Sequence, residues 1–229
     1  MSGKDKLKKF RENESFTCLV QPTTEDVLNK DHNIKGHWGE KMFNNSNPII
    51  LELGCGKGEY TIALAERYPD KNFIGVDIKG ARLWKGAKYA TEHDMHNVAF
   101  LRTRIEFINS LFSEEEVSEI WITFADPQIK KPNKRLTSPI FLERYSHLLK
   151  KYDSINEEVG TIHLKTDSQL LHEYTLEVIK ERNHHLIEAD NDIYNSGRIT
   201  DESILSVKTF YEMQYLKKGM PITYLRFKL

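Results

Sequence analysis

The sequence predicts an α/β fold, a doubly wound and mostly parallel sheet with helices on both faces. Three observations lead there. An apolar run (Ile49, Ile50, Leu51, Leu53) is followed by Gly54, Gly56 and Gly58, and then by apolar residues at helical spacing from Tyr60 to Tyr68. That is the strand, glycine loop and helix of a nucleotide-binding unit. Short apolar segments then alternate with helical patterns along the chain, which is the signature of a parallel sheet. The last segment, Pro221 to Leu229, alternates as a closing strand.

Taken in order, residues 1 to about 18 are polar and lysine-rich and read as a mobile arm. Phe16 to Phe43 has little period, and Gly36-His-Trp38-Gly39 suggests a loop leading into a short covering segment. The expected division is therefore an N-terminal basic arm and cover over 1–46 and one catalytic-type domain over 47–229. Pro48 introduces the first strand, and the helix after the glycine loop stops before Pro69. Asn72 to Asp77 is the second strand and Ala81 to Thr91 a helix. Val98 to Leu101 is the third strand, followed by a helix near Ile105 to Leu111. Ser113 to Glu116 resembles a capping box. Glu119 to Ala125 is the fourth strand, Ser138 to Lys151 a helix and Thr161 to Lys165 the fifth strand. Ser168 to Arg182 is an amphipathic helix, 184–189 a strand, Asn191 to Ser203 a surface loop and Ile204 to Leu216 a helix.

Composition excludes several classes of protein. Charged residues make up 29% and apolar ones 39%, a globular balance with no apolar run near the roughly 20 residues of a membrane helix. The N-terminus lacks the apolar core of a secretory signal. Cys18 and Cys55 are the only cysteines and neither has metal-ligand or CxxC spacing; this fits a reducing cytoplasm. Histidines show no HExxH pattern, so no metal is expected. Net charge is −1, but basic residues gather in three clusters. These are Lys4, Lys6, Lys8, Lys9 and Arg11; Lys79, Arg82, Lys85 and Lys88; and Lys130, Lys131, Lys134 and Arg135. Each cluster alone reads as a solvated face, whereas three on a near-neutral chain suggest a local basic surface.

The glycine loop differs from a dinucleotide site in its G-x-G-x-G spacing and in Glu52 at the strand end. A pyrophosphate would be repelled by Glu52, and a ligand bearing ammonium or sulfonium favoured. S-adenosylmethionine carries both cations and no phosphate; the alternative is a glycine turn with an incidental Glu. Asp77 lies 19 residues beyond Gly58, near the separation at which a strand-end acid meets ribose hydroxyls. It could equally cap the helix starting near Lys79. Asp126-Pro127 ends the fourth strand, and strands one and four should flank the topological switch point, where ligands bind. The loop from Asp126 to Leu136 thus has an acid at its base and four cations beyond.

In these residues the chain resembles the bacterial tRNA (guanine-N7)-methyltransferases, over about residues 47–229. Four ordered signals carry the likeness: Glu-Leu-Gly-Cys-Gly-Lys-Gly at 52–58, Asp-Pro at 126–127 with its basic run, Lys-Thr-Asp at 165–167 and Thr-x-x-Glu at 209–212. The resemblance implies a Rossmann-like class I methyltransferase fold, seven-stranded with an antiparallel last strand. It implies S-adenosylmethionine bound at Glu52, Gly54, Gly56, Gly58 and Asp77, and Asp126 as the catalytic acid. Substrate contacts would come from Lys130, Lys131, Asp167 and the segment Thr209, Phe210, Tyr211, Glu212. The implied substrate is guanine 46 of the tRNA variable loop. Singly, Lys-Thr-Asp also reads as a helix cap and Thr-x-x-Glu as a helix start.

Two departures stand out. Gln128 replaces a Trp usual in the family and the basic run is about two residues shorter. Arg104 stands where an acid often meets the donor's adenine; an arginine cannot accept a hydrogen bond, so Glu106 could take the amine, or Arg104 could stack on the ring or meet phosphate. Two competing readings are another RNA methyltransferase, acting on rRNA, and a non-catalytic RNA-binding subunit with the same fold. The second predicts a damaged donor site, whereas Glu52, the glycines and Asp77 are intact. Whether the chain is a monomer or a homodimer is not written in the sequence.

Overall fold

The computed structural model describes residues 3–151, 160–197, 199–200 and 203–229, with the side chains of residues 3 and 4 excepted. Residues 1–2 of the expected arm, the Lys4 side chain of the first basic cluster, and residues 198 and 201–202 of the expected surface loop therefore lie outside what is described. The helices are α1 (Gly3–Asn13), α2 (Thr24–Val27), α3 (Glu59–Arg67), α4 (Gly80–Glu92), α5 (Pro139–Leu148), α6 (Gln169–Glu181) and α7 (Phe210–Lys217). The strands are β1 (Leu19–Val20), β2 (Ile49–Leu53), β3 (Asn72–Asp77), β4 (Val98–Arg102), β5 (Glu119–Thr123), β6 (Thr161–Thr166), β7 (His185–Asp190) and β8 (Thr223–Lys228). They form one sheet in the order β1-β4-β3-β2-β5-β6-β8-β7. β8 is antiparallel to both β6 and β7, and the pairs among β1 to β6 are parallel.

Every residue of β2, β3, β5 and β6 is buried, because helices cover both faces of the sheet. Alternation then sorts side chains between two cores. Leu51, Leu53, Ile74 and Val76 pack with Trp38, Phe141 and Leu171 on one face. Ile50, Phe73, Phe100 and Trp121 pack with Leu64, Leu83 and Tyr224 on the other. Order reverses at β2, whose neighbours are β3 and β5, so the crevice beyond their carboxyl ends is the switch point.

Three sequence expectations change. The N-terminal segment is not a mobile arm: α1 packs along α4, and Asn13 Nδ2 donates to the Gly80 carbonyl at 2.9 Å. β1 adds an eighth strand at the β4 edge; two residues are too few to show a period. The helix expected over Ile204 to Leu216 is broken into a 3₁₀ turn, Ile204–Ser206, and α7. The carbonyls of Leu205 and Val207 accept from Lys165 Nζ at 2.9 Å each, so they are turned away from a helical ladder. Trp38 is fully buried, donates to the Leu111 carbonyl at 2.9 Å and stacks on Phe112. Among the described residues, no helix is long and apolar enough to cross a membrane.

Phe100, fully buried on β4, lies in a slot made by missing side chains. A Cβ at Gly58, Gly75 or Gly86 would run into its ring. At Gly86 it would also meet the Lys57 carbonyl at 2.9 Å, which is backbone of the glycine loop. Alanine in a helix interior is normally worth about 1 kcal/mol over glycine. Gly86→Ala is nevertheless expected to destabilise the protein by about 1–3 kcal/mol through overpacking; urea unfolding that shows a gain would contradict this slot.

Candidate active site

The glycine loop is held open from below. The N–H groups of Gly54 and Cys55 both donate to the Val76 carbonyl, at 2.8 and 3.1 Å. Gly54, Gly56 and Gly58 take φ of 79°, 59° and 72°, a region that costs a side chain about 1–2 kcal/mol. Gly58 sits against Phe100, but a Cβ on Gly56 would meet nothing within 4 Å. Its place is open space in the cleft, so the absent side chain leaves room for a ligand rather than for packing.

Glu52 is buried at the floor of this loop. One oxygen accepts from the Thr61 N–H at 2.8 Å and from the Thr61 hydroxyl, and the other accepts from the Thr123 hydroxyl. Thr61 is in the first turn of α3, where unpaired N–H groups and the helix dipole favour an anion. Burial pushes the Glu52 carboxyl up to about 7, against the pull of the two threonines and with the nearby Asp77 charge adding to the rise. Asp77 spends Oδ2 on the Gly56 N–H at 3.0 Å and Oδ1 on the Lys79 N–H at 2.7 Å. It therefore holds the glycine loop and the entry to α4 together while still lining the cleft.

The cleft has two lobes that share Gly54, Arg82 and Phe124. The inner lobe is lined by Glu52, Gly56, Tyr60, Thr123, Thr209 and Tyr211. The outer lobe reaches Asp77, Arg104, Glu106, Asp126, Gln128 and Lys134. Burial opposes ionisation of Glu106, and the cations of Lys134, at 3.0 Å, and Arg104, at 3.3 Å, overcome it and hold the carboxyl below its ordinary range. Asp126 is exposed on the rim, with Oδ1 accepting the Gln128 N–H at 2.9 Å. Phe124 and Gln128, on either side of it, take positive φ of 49° and 46°. Non-glycine residues persist there only when surroundings enforce it.

The basic loop after Asp126 divides its charges. Arg135 is buried, donates to the Pro127 carbonyl at 2.9 Å and lies over the Tyr174 ring. Lys134 is turned to Glu106. Lys130 and Lys131 are exposed beyond the cleft, next to Ile129.

Lys-Thr-Asp and Thr-x-x-Glu prove to be one structure. Lys165 Nζ lies 2.7 Å from Glu212 Oε1, with both side chains fully buried. The same Glu212 oxygen accepts from the Tyr194 hydroxyl at 2.7 Å. Glu212 Oε2 accepts the Thr209 N–H at 3.2 Å while Thr209 Oγ1 accepts the Glu212 N–H, the capping box that starts α7. Burial lowers the pKa of Lys165, and the Glu212 charge pulls it back. Glu212 is thus turned inward and lines neither lobe of the cleft. Asp167, half-buried at the end of β6, has its carboxyl raised by burial.

The sequence comparisons fall on this geometry. The model of a family described as "Putative methyltransferase" matches residues 46–225. A Christiangramia forsetii protein named tRNA (guanine-N(7)-)-methyltransferase is 50% identical over 231 residues, covering 100% of both chains. A Bacteroides fragilis protein of the same name is 48% identical, over 99% of this chain and 86% of its own. The chain belongs to the tRNA (guanine-N7)-methyltransferase family. In fold it also resembles the solved 16S rRNA methyltransferase KamB, with a TM-score of 0.60 at 12% identity over 83% of this chain and 91% of that one.

Of the site residues named from sequence, the cleft of this family member gathers Glu52, Gly54, Gly56, Asp77, Arg104, Glu106, Asp126, Thr209 and Tyr211. Gly58 lies beneath it against Phe100, and Lys130, Lys131, Asp167, Phe210 and Glu212 are not part of either lining. Phe210 is exposed at the start of α7, with its N–H on Glu59 at 2.9 Å and Lys57 over its ring. Sequence reasoning missed Thr61, Thr123, Arg82 and the Lys165–Glu212 pair. The hydroxyls had a weak signal, since Thr123 ends the strand beside Glu52. The pair had none, because 47 positions separate its members.

Removing one member of a buried ion pair strands the other, at about 3–5 kcal/mol. Lys165→Met and Glu212→Gln are each expected to cost that order of stability. Lys165→Met combined with Glu212→Leu should recover most of it. Additive losses in urea unfolding of the double variant would show that the two charges are not coupled.

Proposed function

We propose that this chain transfers a methyl group from S-adenosylmethionine to N7 of guanine 46 in the variable loop of tRNA. The observation that carries the reading is one cleft at the switch point that joins the glycine loop and its two acids to Asp126 on the rim. The near-full-length identity to named relatives supports the same reaction. A division into a cover over residues 1–46 and a catalytic domain over 47–229 fits this reading, as does a cytoplasmic setting.

S-adenosylmethionine, when bound, supplies a methyl group activated by its sulfonium. The donor set suits such a cation: Glu52 at the floor of the inner lobe, Asp77 beside Gly56 and the open place above Gly56. Asp77 would take ribose hydroxyls with the lone pairs its backbone bonds leave over. Glu106, steadied by Arg104 and Lys134, would take the adenine amine.

Guanine N7 offers a free lone pair, so no proton has to be removed. The work left to the protein is alignment and tolerance of positive charge growing on the base. Asp126 would hold negative charge beside that base, and Asp167 would accept from its N1–H or exocyclic amine. Thr209 and Tyr211 would wall the inner lobe. Glu212 would act on the base only through Lys165 and α7. The exposed Lys130 and Lys131 would hold phosphate and set register.

Two outcomes test this. Unmodified tRNA incubated with the protein and S-adenosylmethionine, then digested, should yield N7-methylguanosine by mass spectrometry. In that assay Asp126→Asn is expected to lower turnover about a hundredfold, as loss of a charge aimed at the transition state does, with donor affinity nearly unchanged; near-normal turnover would remove the electrostatic role. Donor affinity should also depend on pH. A cation favours the ionised form of Glu52, whose carboxyl sits at about 7. Binding should therefore weaken as pH falls below about 7, by about tenfold one unit below it, with proton release on binding. Glu52→Gln should abolish the dependence in calorimetric titration, and an unchanged profile would take Glu52 out of the donor site.

A further inference from the structure

Two basic clusters that lie far apart in the sequence become one surface in the fold. α1 packs along α4 through Asn13 on the Gly80 carbonyl and through the Trp84 indole N–H, which donates to Glu12. This brings Lys6, Lys8, Lys9 and Arg11 alongside Lys79, Arg82, Lys85 and Lys88. Against these eight cations α1 and α4 carry three acids, Asp5, Glu12 and Glu92, and Glu59 of α3 pairs with Lys85 at 3.0 Å. The chain as a whole carries −1, so the face is a local excess.

Its centre is Trp84. Lys9 Nζ lies 4.4 Å and Lys88 Nζ 5.1 Å from the indole centroid. Each of these cations from different helices is drawn to the indole ring, and their two like charges near one ring favour an anion close by. The acids here are weak competitors. Lys8–Glu12 and Lys88–Glu92 are exposed pairs at 3.7 and 3.6 Å, of little worth in water. Near the start of α4 the basic cluster reaches the site: Arg82, six residues before Lys88, lines both lobes of the cleft. From Arg82 to Lys88 the helix advances about 9 Å.

We propose that the α1–α4 face is a second docking surface for the tRNA backbone, holding an arm of the molecule away from the target nucleotide while the base occupies the cleft. This rests on tRNA being the substrate. Bases in the cleft identify the target, and phosphates gripped at a distance set its register. The surface requires α1, which explains why a polar, lysine-rich N-terminus is a docked helix.

The test uses Lys6→Gln, Lys9→Gln and Lys88→Gln together, none of which lines the cleft. Loss of three phosphate contacts should flatten the slope of log affinity against log salt by about 2. It should lower kcat/KM on full-length tRNA about tenfold through KM. Donor affinity and methylation of a short stem–loop carrying the target guanine should stay unchanged. An unchanged salt slope, or equal loss on both RNAs, overturns the surface. Impaired binding to anionic phosphatidylglycerol vesicles with intact tRNA binding would assign the lysines elsewhere and overturn it too. Wild-type protein that methylates neither RNA instead overturns the assigned reaction itself, which separates the two failures.

Discussion

A carboxylate buried at the switch point ties the catalytic end of the molecule together. Glu52, next to last in β2, accepts the first-turn N–H and hydroxyl of Thr61 on α3, and accepts the Thr123 hydroxyl at the end of β5. Three elements thus meet on one side chain, directly below the glycine loop. The arrangement is costly in the free protein, since burial pushes the carboxyl up to about 7. Two hydroxyls and a helix terminus offset part of that cost. A buried carboxylate with so raised a pKa is the kind of group that clusters at functional sites.

The opposite wall of the cleft depends on a second buried charge. Lys165 leaves β6, crosses to Glu212 and takes the carbonyls of Leu205 and Val207 on the way. It therefore decides where α7 begins and so where Thr209 and Tyr211 stand. Lys165 of the Lys-Thr-Asp signal and Glu212 of the Thr-x-x-Glu signal are one fastening. Glu212 lies behind the cleft wall, whereas Asp126 lines its outer lobe.

Charge is distributed in the same economical way. Of the cations after Asp126, Arg135 is structural and Lys134 steadies Glu106, which leaves Lys130 and Lys131 facing solvent. The larger basic area lies on α1 and α4, on the other side of the cleft. One cation of that face is offset from a third helix, since Glu59 of α3 pairs with Lys85 at 3.0 Å while also accepting the Phe210 N–H.

The sequence by itself determined the sheet, its switch point and the family. Period-two and period-3.6 patterns are local, and the glycine loop, Glu52, Asp77 and Asp126 fall at strand ends that can be counted along the chain. The break between Ile204 and Phe210 was not legible, because it is made by Lys165, some 40 positions away. β1 was not legible either, since a two-residue edge strand exists only through its partner β4. Only the tertiary structure decided that Glu212 faces inward, that Arg135 is buried and that two basic clusters form one face. Each of these depends on which distant groups packing brings within a few ångströms, and charge interactions are set by distance and burial rather than by residue type.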